Sequence, residues 1–334
     1  MTHQFPSWWL VRGLRAWLML PLAALHGALG ALRRQAYALG VLRSERASVP
    51  VIVVGGIFVG GTGKTPTLQA LVKGLQARGF KPGIVSRGYG AKADIAEVHA
   101  GSDTRLAGDE PVLLARKTGV PVWIGRRRAA AASALLQAHP KVDVLLADDG
   151  LQHLALHREV ELAVVDSRGF GNGWLIPAGP LREPPSRLRR VSAIVLRDVA
   201  PLAHLAAPQF RLNLQIDTFR HLATREELPA PAFVRRHPHV TAAAGIGHPA
   251  QFRASLERMG LSVAALSHEL PDHFDWLQMD WARGLEGPIV ITEKDAVKAE
   301  RINDPRLWVA CAVPHLESEL LELIVERIGG SQAA

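Results

Sequence analysis

The chain has 334 residues, 48% of them hydrophobic and 21% charged, enough apolar material for one large core or, as expected here, two domains. A single cysteine, Cys311, excludes an internal disulfide framework and fits a reducing compartment, which points to the cytoplasm. A net charge of +8 and a pI near 10.1 call for an anionic partner: nucleic acid, a phospholipid surface or a phosphorylated substrate. The basic runs at 126–128 and 187–190 read as solvated faces. None is interleaved with aromatics as single-strand binding requires, so nucleic acid is set aside.

Residues 1–48 differ from the rest. Trp8, Trp9, Leu10, Leu14, Trp17, Leu18 and Leu20 begin an apolar series that continues through Leu22, Leu25, Leu29 and Leu32 and closes at Arg33 and Arg34. The run at 17–32 is shorter than the roughly 20 apolar residues a membrane span needs, and Pro21 and His26 interrupt it. Tryptophans beside snorkelling arginines suit a helix lying in one leaflet. A secretory signal and an amphipathic helix covering the domain's own core are the rival readings.

From Val49 onward, short apolar runs alternate with helical patterns: a strand at 51–54, a helix at 65–78, then strands at 83–85, 120–124, 142–147, 163–165 and 193–196. Such alternation predicts parallel βαβ units with helices on both faces of a sheet, and ligands at the carboxyl ends of its strands. Prolines crowd 177–185 and recur at 201, 208, 229, 231 and 238, the composition of loops and linkers. A second alternating block has strands near 241–246, 262–266, 288–292 and 308–313, with a helix at 250–259. The expected organisation is an N-terminal segment at 1–48, a kinase-sized domain at 49–205, a linker at 206–236 and a smaller α/β domain at 237–330.

The strand at 51–54 runs into the glycine-rich turn Phe58-Val59-Gly60-Gly61-Thr62-Gly63-Lys64-Thr65 and then a helix, the context of a phosphate-binding loop. Backbone amides and the helix N-terminus face the phosphates, Lys64 reaches the β and γ groups, and Thr65 offers a hydroxyl to magnesium. Phe58 occupies the position where the GxxxxGK[ST] pattern has its first glycine. The loop also needs a carboxylate for magnesium, and the buried strand at 142–147 ends in Asp148-Asp149. One of that pair could instead cap the following helix. His153 and His157 lack the companions of a zinc site and read as surface or structural histidines. Asp295 in TEKDAVK is open between a helix cap and a nucleotide or domain contact.

GGTGKTP (60–66), SRGYG (86–90), GDEP (108–111), DDGLQH (148–153), FGNGWLIPAGPLREP (170–184), GIGHPAQF (245–252), PDHF (271–274) and TEKDAVK (292–298) occur in an order that resembles the tetraacyldisaccharide 4′-kinase family, the lipid A 4′-kinases. The resemblance covers nearly the whole chain; Leu151 stands where the family usually has Phe, and Gly56 where it usually has Asn. It implies a P-loop NTPase-like parallel sheet, a smaller C-terminal α/β domain and an N-terminal membrane-associated helix. It also implies transfer of the ATP γ-phosphate, with Mg2+, to the 4′-hydroxyl of an acylated glucosamine disaccharide 1-phosphate at the cytoplasmic face of the bacterial inner membrane, with no protein partner required. By resemblance Asp109 accepts the hydroxyl proton and His273 supports it from the second domain, so that two lobes would close over the substrates.

Arg87 and Arg182 are cationic hydrogen-bond donors that could face phosphates or pair with a local acid such as Glu183, and Glu183 is itself a further candidate magnesium ligand. Two other readings fit the loop alone: a membrane-associated P-loop switch or assembly NTPase, and a kinase of a soluble sugar. Thr292-Glu293-Lys294-Asp295 is only a faint echo of a guanine-recognition string.

Overall fold

The computed structural model describes residues 6–88, 91, 94–203, 205–246, 249–265, 270, 276, 282, 284–299 and 302–332. The described chain divides into two compact units, one of residues 6–213 and 314–332, the other of 214–313.

In the first unit, a short turn of 3-10 helix at Ser7–Trp9 is followed by α1 (Leu14–Leu18) and α2 (Leu20–Ala38). Pro21 lies in the first turn of α2, where its missing N–H is tolerated, and the helix restarts there instead of continuing from α1. Then come β1 (Val51–Gly55), α3 (Lys64–Gln76), β2 (Pro82–Ser86), β3 (Ile95–Val98), α4 (Thr104–Ala107), α5 (Asp109–Thr118), β4 (Val122–Gly125), α6 (Arg128–Ala138), β5 (Val144–Asp148), β6 (Val160–Asp166) and β7 (Ala193–Arg197). β1 lies between β5 and β6, with β2 and β4 beyond β5 and β7 beyond β6. All these pairings are parallel, and β3 alone joins the far edge antiparallel. Every residue of β1, β2 and β5 is buried, as a sheet covered on both faces requires. The expected parallel α/β sheet is therefore present, and β1 and β5 send their carboxyl ends to the same edge.

The stretch 206–236, expected as a linker, is largely regular: β8 (Gln209–His221), β9 (Glu227–Pro229) and α7 (Ala230–Arg236). Its prolines stand where they are tolerated, Pro208 before β8, Pro229 at the end of β9 and Pro231 in the first turn of α7, and Phe210, Leu212, Leu214 and Ile216 alternate with polar residues in strand period. β8 begins in the first unit, parallel to β7, and the division between units falls within it at 213/214.

The second unit continues with β10 (His239–Ala242), α8 (Pro249–Arg258), β11 (Ser262–Ala265), β12 (Ile289–Thr292), α9 (Glu293–Ala299) and β13 (Leu307–Leu316). Here β11, β10, β12 and β13 lie in that order with parallel pairing, while β9 pairs antiparallel with β8. Phe219 stacks on Phe233 at 3.9 Å and Trp308 packs edge-on against the latter, which fills one side of this sheet. Asp295 is fully buried and accepts hydrogen bonds from the Trp276 indole, the Thr292 hydroxyl and the Gly245 amide, a brace at the start of α9.

The last helix, α10 (Ser318–Gln332), was expected in the second domain, but it packs on α3 and β6 of the first unit. Gly74, in the middle of α3, explains how closely: a β-carbon there would lie 2.4 Å from Leu321. Glycine in a helix interior costs about 1 kcal/mol relative to alanine, and here the close approach of α10 requires it.

Candidate active site

The turn after β1 is shaped by its glycines. Gly60 and Gly63 have φ of 92° and 102°, in the left-handed region open to glycine, and Gly63 is the residue from which α3 starts. Lys64 opens the helix and is 8% exposed; its ammonium donates to the Gly60 carbonyl at 3.1 Å and lies 3.6 Å from the Asp149 carboxylate. Thr62 is fully buried, and its hydroxyl has no hydrogen-bond partner among the described residues. Thr65 follows Lys64 in the first turn of α3 and is half-buried. Phe58 is buried behind the loop, and Val59 is tied down by its amide to the Pro180 carbonyl.

Asp148 and Asp149 stand at the carboxyl end of β5, beside this turn. The Ser86 hydroxyl, at the end of β2, donates to Asp148 at 2.9 Å, while the second Asp148 oxygen is buried with no hydrogen bond among the described residues. Burial, reinforced by the charges of Glu110 and Asp149, pushes the Asp148 carboxyl up to about 6. Burial also acts to raise Asp149, but Lys64 and Arg182 outweigh it and hold that carboxyl at about 2. Asp149 adopts φ 48°, a backbone conformation uncommon outside glycine, which turns its side chain toward Lys64 and Arg182. The oxygen-only donor set of Thr62, Asp148 and Asp149, partly without hydrogen bonds, suits a hard divalent cation that keeps several of its waters.

Arg182 pairs with Asp149 at 2.7 Å and touches Gln152, whose amide donates to Glu183 at 2.9 Å. Glu183 is held in turn by Arg34 of α2 at 3.1 Å and by Arg187 at 3.8 Å. The structure thus connects Glu183 to Asp149 through Gln152 and Arg182, and its oxygens are engaged by cations and an amide. Asp109, the first residue of α5, is buried and its carboxylate accepts from the Glu110 amide. Glu110 is near enough for its charge to help raise Asp148, so GDEP acts electrostatically on DDGLQH. Arg87 is exposed just beyond β2 and lies close enough to Arg128 and His153 to oppose their protonation. His273 lies outside the described residues.

Several members of this site carry no signal in the sequence. Arg128 belongs to a basic run read as solvated, yet it is 4% exposed and donates to the carbonyls of both Asp148 and Asp149. Arg187, from the other run, is buried against Glu161. In each run one arginine turns inward while the other arginines face solvent, Arg128 as the first residue of α6 and Arg187 within a turn of 3-10 helix at Pro185–Arg190. Burial amid Arg128, Arg158, Arg33 and Arg87 lowers His153 to about 4, which makes it a neutral imidazole at physiological pH. Gln152 was legible only as part of its motif.

A glycine-rich loop feeding a helix N-terminus, a lysine inside it and paired carboxylates at the end of the adjacent strand define a P-loop nucleotide-binding enzyme. The family model for tetraacyldisaccharide-1-P 4′-kinase matches residues 15–329. The tetraacyldisaccharide 4′-kinase of Aromatoleum aromaticum is 48% identical over 98% of this chain and 98% of its own length. That of Herminiimonas arsenicoxydans is 45% identical over 99% of this chain and 96% of its own. The crystal structure of LpxK from Aquifex aeolicus in complex with ATP superposes with a TM-score of 0.78 at 28% identity, covering 94% of this chain and 100% of that one. The chain belongs to the tetraacyldisaccharide-1-P 4′-kinase family. It is an ATP-dependent lipid A kinase that phosphorylates the 4′-hydroxyl of an acylated glucosamine disaccharide 1-phosphate.

Proposed function

We propose that this kinase works while seated on the cytoplasmic face of the bacterial inner membrane through α2. One observation carries the proposal. Along α2, Leu22, Leu25, Leu29 and Leu32 recur at helical spacing and are each more than half exposed. The opposite face of the same helix, Ala23, Gly27 and Arg34, is docked beside the catalytic loop. A β-carbon on Gly27 would lie 2.7 Å from Leu175, and His26 is 3.2 Å from the Arg182 carbonyl. Among the described residues no helix is long and apolar enough to cross a membrane, so the stripe is suited to lie in one leaflet. Exposed Arg15, Arg33, Arg43 and Arg46 add attraction to anionic lipid.

In this reaction the 4′-oxygen forms a bond to the γ-phosphorus as the bond to the β,γ-bridging oxygen breaks, and ADP departs. Asp109 takes the hydroxyl proton, the role in which the resemblance places it with His273. The loop at 58–65 holds the polyphosphate, Lys64 stabilises charge on the transferred group, and Arg182 and Arg87 face the anionic acceptor. Asp148 and Asp149, with the loop hydroxyls of Thr65 and Thr62, are the residues that would hold magnesium, which when bound would neutralise phosphate charge. Glu183 serves as the brace between α2 and Arg182. ATP, Mg2+ and the lipid account for the whole reaction, without nucleic acid or a protein partner.

The test is phosphate transfer from labelled ATP to a disaccharide 1-phosphate lipid in anionic vesicles, beside sedimentation of the enzyme with those vesicles. Replacing Leu22, Leu25 and Leu29 together with Ser is expected to reduce vesicle binding by at least about tenfold and transfer with it. Hydrolysis or transfer to a soluble sugar should be unchanged. Full vesicle binding by that variant would refute the membrane seat.

A further inference from the structure

Arg168, two residues beyond the end of β6, lies against the phosphate loop and belongs to none of the roles above. Its guanidinium holds Asp166 in a fork, with Nε at 3.1 and 3.0 Å and Nη2 at 2.5 Å from the carboxylate oxygens. Asp166 ends β6, the parallel neighbour of β1, and is 1% exposed. The same Nη2 donates to the Gly61 carbonyl at 2.7 Å, and the guanidinium carbon lies 4.3 Å from the centre of the Phe58 ring. One side chain therefore joins a buried carboxylate, a backbone carbonyl of the loop and the aromatic residue that replaces the first glycine of the loop pattern.

The consequence follows from peptide geometry. In a trans peptide the carbonyl and the following N–H point in opposite directions. Drawing the Gly61 oxygen outward to Arg168 turns the Thr62 N–H the other way, toward the concave side where phosphate oxygens are bound. Gly61 has no side chain to fix this orientation, and it is exposed. Asp166 cannot hold the carbonyl itself, since a carboxylate only accepts. Arginine can supply a fork, a further donor and a stacking face at once, whereas lysine offers one compact ammonium.

We propose that Arg168, stacked on Phe58 and anchored by Asp166, is a positioning residue that presets the Gly61–Thr62 peptide for nucleotide phosphate binding. It touches the loop, not the transferred group. The inference goes beyond the family activity, and it concerns ADP and ATP alike because the loop amides serve the phosphates both nucleotides share.

The test is titration of the purified full-length enzyme with fluorescent ADP and ATP analogues. Arg168→Lys is expected to weaken both by about tenfold, the loss of one or two charge-assisted hydrogen bonds. The KM for the lipid and the thermal midpoint should stay at wild-type values. Phe58→Leu, which keeps the buried volume and removes the ring, is expected to weaken both about threefold. The double variant should be no worse than Arg168→Lys alone, since the ring acts through the guanidinium. Wild-type binding by Arg168→Lys would overturn the proposal. So would a loss confined to ATP, which would make Arg168 a γ-phosphate ligand, or strictly additive losses in the double variant. Should Arg168→Ala fail to fold, the lysine and leucine variants still decide the matter.

Discussion

Two leucine-rich helices of the same unit make opposite use of the same period. In α3, Leu68, Leu71 and Leu75 are 0% exposed, packed beneath β1 and β5, and the helix N-terminus is thereby fixed at the phosphate loop. In α2, Leu22, Leu25, Leu29 and Leu32 are 54–67% exposed, while small residues on the other face, Ala23 and Gly27, meet the protein. A leucine stripe thus marks where a helix seeks an apolar neighbour, and in α2 the protein itself does not supply one. In the proposed mechanism α3 holds the phosphate loop in place, and α2 leaves its apolar face available to lipid.

The comparison can be broken most directly at the head of α3. Lys64→Ala is expected to reduce phosphate transfer by at least about 10²-fold and to weaken ATP binding as well, because the ammonium acts on both ground and transition states. Asp109→Ala should lower turnover by a similar order with ATP affinity held within about twofold; equal loss in both, read from steady-state rates and nucleotide titration, would make Asp109 a nucleotide ligand. Smaller but more pointed is a matched pair of leucines. Leu71→Ala should cost roughly 2–5 kcal/mol in denaturant unfolding, and Leu25→Ala less than about 0.5 kcal/mol, since only the first leaves a cavity. Comparable costs would mean that α2 is covered by protein.

The smallest effect is expected at the junction of the two regions. Arg34 reaches from α2 to Glu183, and Glu183 connects through Gln152 and Arg182 to Asp149. Arg34→Ala should lower turnover about three- to fivefold, the loss of one partly buried ion pair, with ATP affinity and vesicle sedimentation unchanged. A parallel fall in vesicle binding would show that Arg34 anchors lipid instead of steadying Arg182.

The phosphate loop was legible because its chemistry is local: glycines at 60 and 63, a lysine at 64 and a buried strand before them fix backbone and charge within a dozen residues. The paired carboxylates were legible because an all-apolar strand ends on them. Arg128, Arg168 and Arg187 were not, because a guanidinium in sequence looks the same whether it meets water or a carboxylate from another strand. The stretch at 206–236 was obscured by prolines that the fold accommodates before β8, at the end of β9 and in the first turn of α7.

The sequence by itself determined the alternating strands and helices, the phosphate-binding turn, the carboxylates at 148 and 149 and the apolar character of the N-terminus, since each depends on residue type at short spacing. Only the tertiary structure decided which face of α2 docks, that α10 returns to α3 through Gly74 and Leu321, and which arginines turn inward. Amphipathic period specifies that a face will be buried; the identity of its neighbour is set by how distant segments pack, and that is a property of the whole chain.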